Sequence, residues 1–341
     1  PHHLGGIDDI GAWRRSAYAG AHAERIEVEP LVEQICQDCH MAPEDALTDL
    51  ARDDTGRVRS HRVAAAQTSL LAQTDPAAFA RAQDRLRGSA TVDVASVRFG
   101  NEWRLPAESA VAVPGAFAFD VVVFNRDTGH RFPGGTRDLQ DLWLEVEVSN
   151  GEHVLASAGT DHAGAPDPTA FTLRAVLLDE DGRPDLTHMV HRFRALAFDR
   201  SLEARDALVV RYIGDLPDGV DLTGLTIRAH LRHRRHPAAM RTLACRATRN
   251  ARGRAFARAT RRFGGTPIDG CAEAPITEIS GAQMTLGDAM PTAEVPWPRP
   301  YQYAIGLLPG VHAPLDATRP VPARPPAHAP HHRHRPSPHR L

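Results

Sequence analysis

The stretch LWLEVEV, from Leu142 to Val148, decides the fold class because its residues alternate with a period of two. Successive side chains of a β-strand point to opposite faces of the sheet. The leucines and valines at the even-numbered positions therefore share one face, whereas Glu145 and Glu147 share the other. This pattern predicts a strand with one buried face and one face toward solvent.

Other short runs of the same kind precede and follow this strand. Turns that contain Gly and Pro separate them, for example at residues 132–135 and 216–219. No helical segment that could form a βαβ crossover lies between them, so we predict an antiparallel, immunoglobulin-like β-sandwich over residues 91–240. Its expected strands contain VDVASV, FAFDVVVF, LWLEVEV, FTLRAVLL, ALVVRY and LTIRAHL.

The residues before the predicted sandwich favour helices. Within residues 1–90, Asp75 is a suitable N-cap because Pro76 follows it at the first helical position. Phe79 and Leu86 then continue one apolar stripe. The chain is therefore expected to belong to the α+β class, with a helical region followed by a sandwich.

Two further segments follow the predicted sandwich. Residues 241–290 are rich in Arg, and we expect one helix there, at residues 250–262. Residues 291–341 contain many of the 27 prolines of the chain and end in HHRHRPSPHR. This composition predicts an irregular Pro/His-rich tail without a packed core, because Pro-rich polar segments bury little apolar surface.

The overall composition excludes several classes of function. The chain has 341 residues and 42% hydrophobic content, enough to bury one or two cores. A formal charge of −2 gives no electrostatic reason to expect nucleic acid or an anionic membrane surface as a partner. No apolar run approaches ~18 residues, so we expect no membrane span.

The helical region contains the motif ICQDCHM, in which Cys36, Cys39 and His40 form C-x-x-C-H. This is the attachment signature of c-type haem: the thiols form thioethers with the porphyrin vinyl groups, and the imidazole binds iron. Positions i, i+3 and i+4 share one face of a helix, so all three side chains can reach the same flat cofactor.

Two other interpretations of the motif are weaker. A thioredoxin-like dithiol requires a βαβ context, and the residues around the motif are mostly polar or small. A zinc site requires a fourth soft ligand, whereas the other cysteines, Cys245 and Cys271, are about 200 residues away. The motif therefore predicts at least one covalent haem c.

Cys245 and Cys271 are expected to form a disulfide, with two free buried thiols as the alternative. Covalent haem attachment takes place after export, and an exported chain meets an oxidising compartment that favours disulfides. We therefore expect a periplasmic or extracellular protein. The sequence begins at Pro1 without the pattern of a signal peptide, so we expect a processed or partial chain.

Two stretches together resemble a known family. ICQDCHM followed by VRSHRV is similar to the haem region of exported multihaem c-type cytochromes, including those related to cytochrome c554 and the pentahaem nitrite reductases. NRDTGHRFPGGTRDLQDLWLEVEV resembles the G-H-x-F-P-x-G segment that opens a β-rich domain after the haem region in such proteins. The family carries several C-x-x-C-H motifs, whereas this sequence has one. The resemblance therefore implies either further haems, in a longer precursor or on partner chains, or a monohaem relative of the family.

A second axial ligand is needed if the iron is bound on both faces. His61 is a candidate because the resemblance places an axial histidine in a similar S-H setting, where it often ligates a neighbouring haem. His130 is a second candidate because TGHRFPGG would present it on a rigid loop at the end of a strand. His22, His2 and His3 are weaker candidates. His188 and His191 flank a β-type stretch and are expected to be structural.

These observations predict an electron carrier with a bis-histidine haem, rather than an enzyme. One alternative is a subunit of a multihaem reductase or oxidase that acts on a small nitrogen or sulfur species at an open iron face, for which Tyr18, Arg14 and Arg15 form the nearest polar cluster. Another is an assembly or adhesion sandwich with a structural haem. The expected partners are other haem-bearing chains or redox proteins, in a homo- or hetero-oligomer, and not nucleic acid.

Overall fold

The computed structural model describes residues 8–20, 31–46, 48–104, 112–151, 153–162, 164–287, 298–315 and 321–322. Its helices and strands confirm a mixed α+β class. The helices are α1 (Asp9–Arg14), α2 (Cys36–His40), α3 (Thr68–Thr74), α4 (Pro76–Leu86), α5 (Ala238–Arg249), α6 (Ala251–Arg262) and α7 (Pro298–Gly306), with 3-10 turns at Ala17–Ala19, Arg137–Leu139 and Val190–Arg192. Within these ranges, no helix is long and apolar enough to cross a bilayer.

The strands alternate with short turns along most of the chain. They are β1 (Pro43–Asp45), β2 (Arg57–Arg59), β3 (Ala90–Phe99), β4 (Glu102–Arg104), β5 (Gly115–Asn125), β6 (Asp141–Ser149), β7 (His153–Ala158), β8 (Asp161–His162), β9 (Ala165–Pro166), β10 (Phe171–Thr172), β11 (Ala175–Leu178), β12 (Ala195–Asp199), β13 (Ala207–Leu216), β14 (Thr226–Arg234), β15 (Ile276–Thr285), β16 (Val311–Pro314) and β17 (Val321–Pro322).

Two sheets form the main β-structure. The first has the strand order β16-β13-β5-β3-β4, and the second has the order β15-β14-β6-β7-β17, with β10 also beside β6. Strand β16 runs parallel to β13, and the other pairings in both sheets are antiparallel. The predicted strand of LWLEVEV is confirmed as β6, which lies inside the second sheet between β14 and β7.

The inward faces of both sheets contribute to one hydrophobic core. Val121 and Val123 from β5 belong to the same buried cluster as Leu142 and Leu144 from β6. Burying a side chain of this size stabilises the fold by roughly 1.5–3 kcal/mol. The opposite face of β6 carries the buried Trp143 at one end and then Glu145 and Glu147.

The glutamates of β6 form ion pairs with β14, the neighbouring strand. Glu147 accepts from Arg228 at 3.0 Å and Glu145 from Arg232 at 3.0 Å. The alternation of LWLEVEV therefore separates a core face from an ion-paired face, as expected from its period of two.

The region before the sheets is less helical than the sequence predicts. Asp75 does cap α4, because its side chain accepts from the backbone N–H of Ala78 at 2.9 Å. However, β1 and β2 pair as an antiparallel hairpin between α2 and α3. These strands are short and exposed, so they lack the apolar alternation that would have distinguished them from a loop.

The expected limits of the sandwich, residues 91–240, omit strands that complete both sheets. Strand β15 lies in the Arg-rich segment of residues 241–290 and pairs with β14. That segment also contains two helices, α5 and α6, where one was expected. The disulfide between Cys245 and Cys271 is present, with a sulfur–sulfur distance of 2.06 Å.

Part of the predicted irregular tail is also structured, which corrects the expectation that residues 291–341 lack packing. Tyr303 and Ile305 of α7 pack against a small buried cluster on the outer face of the first sheet. The Tyr303 hydroxyl donates to Asp120 at 2.7 Å. Arg211 binds the same carboxylate with two hydrogen bonds, of 2.8 and 2.9 Å. Composition alone does not indicate this short helix, because Pro296, Pro298, Pro300 and Pro309 lie within it or close to its ends.

We predict that Tyr303→Phe lowers the free energy of unfolding by about 1–2 kcal/mol, because it removes a hydrogen bond to a fully buried carboxylate. Urea denaturation measures this change. Leu308→Ala is the matched control in the same segment, since Leu308 is 88% exposed, and it should leave the midpoint unchanged. Equal midpoints for Tyr303→Phe and the wild type would show that α7 does not contribute to the folded core.

Candidate functional site

Helix α2 carries the C-x-x-C-H motif and is held in place from both sides. Asp38 accepts from the backbone N–H of Ile35 at 2.9 Å and from Arg59 at 2.7 Å. These contacts, the backbone hydrogen bond first, lower the pKa of Asp38. Arg59 belongs to β2, so the exposed hairpin fixes the turn of chain that bears the motif. Cys36 is exposed and Cys39 half-buried, and neither forms a disulfide.

The imidazole of His40 is oriented by a backbone carbonyl. Its Nδ1 lies 2.8 Å from the oxygen of Ala64. Since a carbonyl only accepts, Nδ1 carries the proton and donates, which leaves the Nε2 lone pair free to bind a metal. Metal-binding histidines commonly use such a partner to fix the tautomer and the ring orientation.

The imidazole of His130 is oriented in the same way, on the loop that follows β5. Its Nδ1 lies 2.8 Å from the carbonyl oxygen of Arg131. The buried side chain of Asn125 donates to the carbonyls of His130 and Glu203, both at 3.0 Å. Arg131 in turn forms an ion pair with Glu203 at 2.7 Å. The loop is therefore fixed by polar contacts on both sides of His130.

The fold brings His40 and His130 together, although they are far apart in sequence. Their ring centres are 6.2 Å apart, and the ring planes are within 11° of parallel. Both rings line a cavity of about 870 Å³, and so do Cys36 and Cys39. Cofactor and ligand pockets typically have volumes of roughly 300–1,000 Å³, so the cavity is large enough for a flat macrocycle.

The cavity wall is aromatic near the loop and carries charges of both signs elsewhere, the acidic residues being Asp9, Asp38, Glu44, Asp84 and Asp127. Trp13, Tyr18, Phe132 and Pro133 supply apolar surface, as expected for a site that binds an apolar ring system. The cationic side chains on the wall are Arg62, Arg81, Arg85, Arg87 and Arg235. Acidic groups on a bound cofactor would find opposite charge there.

A glycine makes room for the His130 ring. A methyl group on Gly134 would lie 2.5 Å from Cε1 and 2.8 Å from Nδ1 of His130, which is too close for any side chain. At Gly129, by contrast, a methyl group would meet Tyr18 at 3.4 Å, which is ordinary contact. The ring of His130 therefore occupies a space that exists because residue 134 has no side chain.

The N-terminal segment connects the motif to the loop of His130. Trp13 donates from its indole N–H to the carbonyl of Gln34 at 2.8 Å, just before α2. The hydroxyl of Tyr18 donates to the carbonyl of Arg126 at 3.1 Å, and Asp9 accepts from the N–H of Gly135 at 3.0 Å. These bonds tie the part of the chain that carries the cysteines to the β-domain.

The other sequence-predicted residues lie elsewhere. His61 is exposed and does not line the cavity. Nδ1 of His188 lies 2.6 Å from a carboxylate oxygen of Asp138. His191 is exposed. His2, His3 and His22 lie outside the described residues, so their assignment remains a prediction.

Of the polar cluster considered for an enzyme, only Tyr18 lines the cavity. Arg14 is exposed, and Arg15 forms an ion pair with Glu203 at 3.6 Å. Among the residues that the structure describes, no group of three or more His, Cys, Asp or Glu side chains could hold a metal ion.

Two buried polar residues of the cavity wall, Gln140 and His233, were not predicted from the sequence. The side-chain amide of Gln140 donates to the carbonyl of Gly134 at 2.8 Å, and its oxygen lies 2.9 Å from Nε2 of His233. His233 therefore supports the His130 loop through Gln140. The only sequence signal was the alternation of AHLRHRRH, which gives no reason to single out one of its histidines.

Comparisons with known proteins give limited information. No family model and no curated protein matches the chain. Among solved structures, the chain is similar to a penta-heme cytochrome c552 from Thermochromatium tepidum, with 15% sequence identity and a TM-score of 0.42 over 79% of this chain. The match covers 49% of that protein, so this chain spans about half its length.

Protonation of His233 should destabilise the protein. Burial, and then the nearby charge of Arg235, lower the pKa of His233 to about 3 from an ordinary value of 6.5. Between these values the unfolded chain binds a proton that the folded chain does not. The stabilising effect of the neutral ring is therefore complete above pH 6.5 and is lost as the pH falls toward 3.

We predict that His233→Gln makes the unfolding free energy less dependent on pH between 6 and 4. The wild type should have the steeper slope, by up to about 1.4 kcal/mol per pH unit. Urea denaturation at several pH values measures both slopes. The exposed His191, changed to Gln, is the control and should retain the wild-type slope. Parallel curves for the wild type and His233→Gln would contradict a buried neutral imidazole.

Proposed function

We propose that the chain is a c-type cytochrome that carries electrons through a haem attached at Cys36 and Cys39, with His40 as an axial ligand. In the attachment, each thiol adds across one vinyl group of the porphyrin, so that an S–H and a C=C bond are replaced by C–S and C–H bonds. The C-x-x-C-H motif, the free thiols and the fixed orientation of His40 support this proposal. The haem would supply one-electron chemistry.

His130 is proposed as the second axial ligand, and one observation carries this assignment. The two ring centres are 6.2 Å apart, so each is about 3.1 Å from their midpoint. A nitrogen–metal bond of about 2 Å, together with the distance from the nitrogen to the ring centre, accounts for this value. Both Nδ1 atoms are occupied by carbonyls, which leaves both Nε2 atoms for the metal.

If His40 and His130 both held the iron, they would leave no position on it for a substrate, which favours an electron carrier over an enzyme. The alternatives of a reductase or oxidase subunit and of an assembly or adhesion protein have no comparable observation in their favour. His61, which is exposed and outside the cavity, remains a candidate ligand for a haem of another chain. This role would place the protein in a multihaem assembly, as the resemblance implies.

We also propose that the β-domain is an immunoglobulin-like sandwich. In the first sheet, β3, β5 and β13 would correspond to strands A, B and E. In the second sheet, β15, β14, β6 and β7 would correspond to strands G, F, C and C′. Both strand orders are typical of that fold. Strand β16 takes the position of D beside E. Export to an oxidising compartment is proposed on the basis of the motif and the disulfide.

We predict that the chain, produced in a host that attaches haem c, keeps one haem per chain after denaturation and acid–acetone extraction. Intact mass and the pyridine haemochrome spectrum measure this. Cys36→Ser combined with Cys39→Ser should lose the covalent haem, whereas Cys245→Ser should retain it, because that thiol lies in the disulfide. Extraction of all colour from the wild type would exclude haem c at this motif.

We predict that the wild-type haem is low-spin and that His130→Ala makes it high-spin, because the iron loses one nitrogen ligand. Visible absorption and electron paramagnetic resonance distinguish the two states. Gly134→Ala should have a similar, smaller effect, because its methyl group occupies the space of the His130 ring. Gly129→Ala is the matched control and should remain low-spin.

His61→Ala tests the competing assignment in the same assay. It should leave the spectrum unchanged, because His61 is outside the cavity. A high-spin spectrum for His61→Ala together with a low-spin spectrum for His130→Ala would reverse the proposed ligation.

A further inference from the structure

Helices α5 and α6 form a helical hairpin that projects its arginines into solvent. Between residues 238 and 268 there is no Asp or Glu, although the whole chain has a net charge of −2. The basic residues of the hairpin are Arg241, Arg246, Arg249, Arg252, Arg254, Arg258, Arg261 and Arg262, and all except Arg241 are exposed. The hairpin is thus a concentrated positive patch on a nearly neutral protein.

Within the hairpin, helix α6 packs against α5 through its small residues. Gly253, Ala257 and Thr260 are its half-buried positions. A methyl group on Gly253 would lie 2.1 Å from the carbonyl oxygen of Ala247 at the end of α5, so the two helices approach very closely. The larger side chains of α6 are all exposed, and Arg254 also donates to the carbonyl of Arg249 at the end of α5.

Those outward side chains are partly sorted by type, although the exposed Arg252 lies on the same side as Phe256. Phe256 and Phe263 are separated by seven residues, lie on one side of the helix axis and are 74% and 85% exposed. The arginines at positions 254, 258 and 261 lie on the other side. An amphipathic helix with aromatic residues on one face and basic residues on the other is typical of segments that lie in a membrane interface.

We propose that α6 binds the surface of an anionic lipid bilayer, with Phe256 and Phe263 inserted among the acyl chains and the arginines at the level of the phosphates. Charge complementarity supports an anionic partner, and the two exposed Phe rings favour lipid over an acidic protein surface. With 12 residues the helix is about 18 Å long, so it lies in the plane of the membrane.

The hairpin is connected to the part of the chain that forms the cavity. The loop after α6 exchanges two hydrogen bonds with α3, between Gln73 and Asp269, at 2.8 and 3.3 Å. Ser69 of α3 is also bonded to His236, just before α5, at 2.8 Å. Bound lipid would therefore hold the whole protein at the surface. This inference does not depend on the proposed haem, and its test does not require one.

The test is co-sedimentation of the full chain with vesicles of phosphatidylcholine alone or of phosphatidylcholine mixed with phosphatidylglycerol. We expect binding to the mixed vesicles, weakened by salt, and little binding to the neutral ones. The triple change Arg254→Gln, Arg258→Gln and Arg261→Gln should reduce affinity about 100-fold, since each arginine near an anionic surface contributes about fivefold. Phe256→Ser with Phe263→Ser should reduce it about tenfold or more.

Matched controls separate the patch from general effects of charge and hydrophobicity. Arg183→Gln removes an exposed arginine elsewhere, and Leu308→Ser removes an exposed apolar side chain, so both should bind as the wild type does. Circular dichroism checks that the variants fold. Equal sedimentation of the wild type with neutral and anionic vesicles would overturn the proposal. Loss of binding in the arginine variant but not in the Phe variant would also overturn it, because binding would then be electrostatic only, without insertion of the Phe rings.

Discussion

The buried side-chain amide of Asn125 is the interaction on which the site depends. It lies at the end of β5 and donates to the carbonyls of His130 and Glu203, which belong to two different loops at one end of the sheets. Without it, the His130 carbonyl would lose this hydrogen bond, at a cost of about 1 kcal/mol, whereas the Glu203 carbonyl would still accept from the backbone N–H of Asp206. The same bonds fix where the His130 backbone leaves the sheet, so the rigidity of the β-domain is passed directly to the imidazole.

The helical region contributes little core of its own and relies on that rigid loop. Its contacts with the β-domain are specific polar bonds, such as those of Tyr18 and Asp9, and the cavity lies between the two parts. The large cavity and the exposed thiol of Cys36 make sense if a bound group supplies the missing apolar contacts. On this view a haem would complete the packing of the helical region as well as carry electrons.

Much of the fold was predictable, because strands with one buried face can be recognised from alternating apolar and polar residues, as in LWLEVEV. The hairpin β1–β2 has no buried face, and β15 and α7 lie in segments whose Arg and Pro content outweighs their pattern. The motif residues were predictable from spacing alone, since they occupy one helical turn. The sequence named both His130 and His61 as candidates, and it could not place the His130 ring beside His40, because that contact joins residues 90 positions apart. His233 and Gln140 were hidden for the same reason.

The position of β16 and β17 has a consequence for how the protein reaches its final state. Strand β16 covers the free edge of β13 in one sheet, and β17 covers the free edge of β7 in the other. Uncovered edges invite pairing with other chains. Both covering strands lie about 100 residues or more after the edges that they protect. A newly made chain therefore has two unpaired strand edges until residues 311–322 have been synthesised. Such a chain depends on being kept apart from its neighbours during that interval.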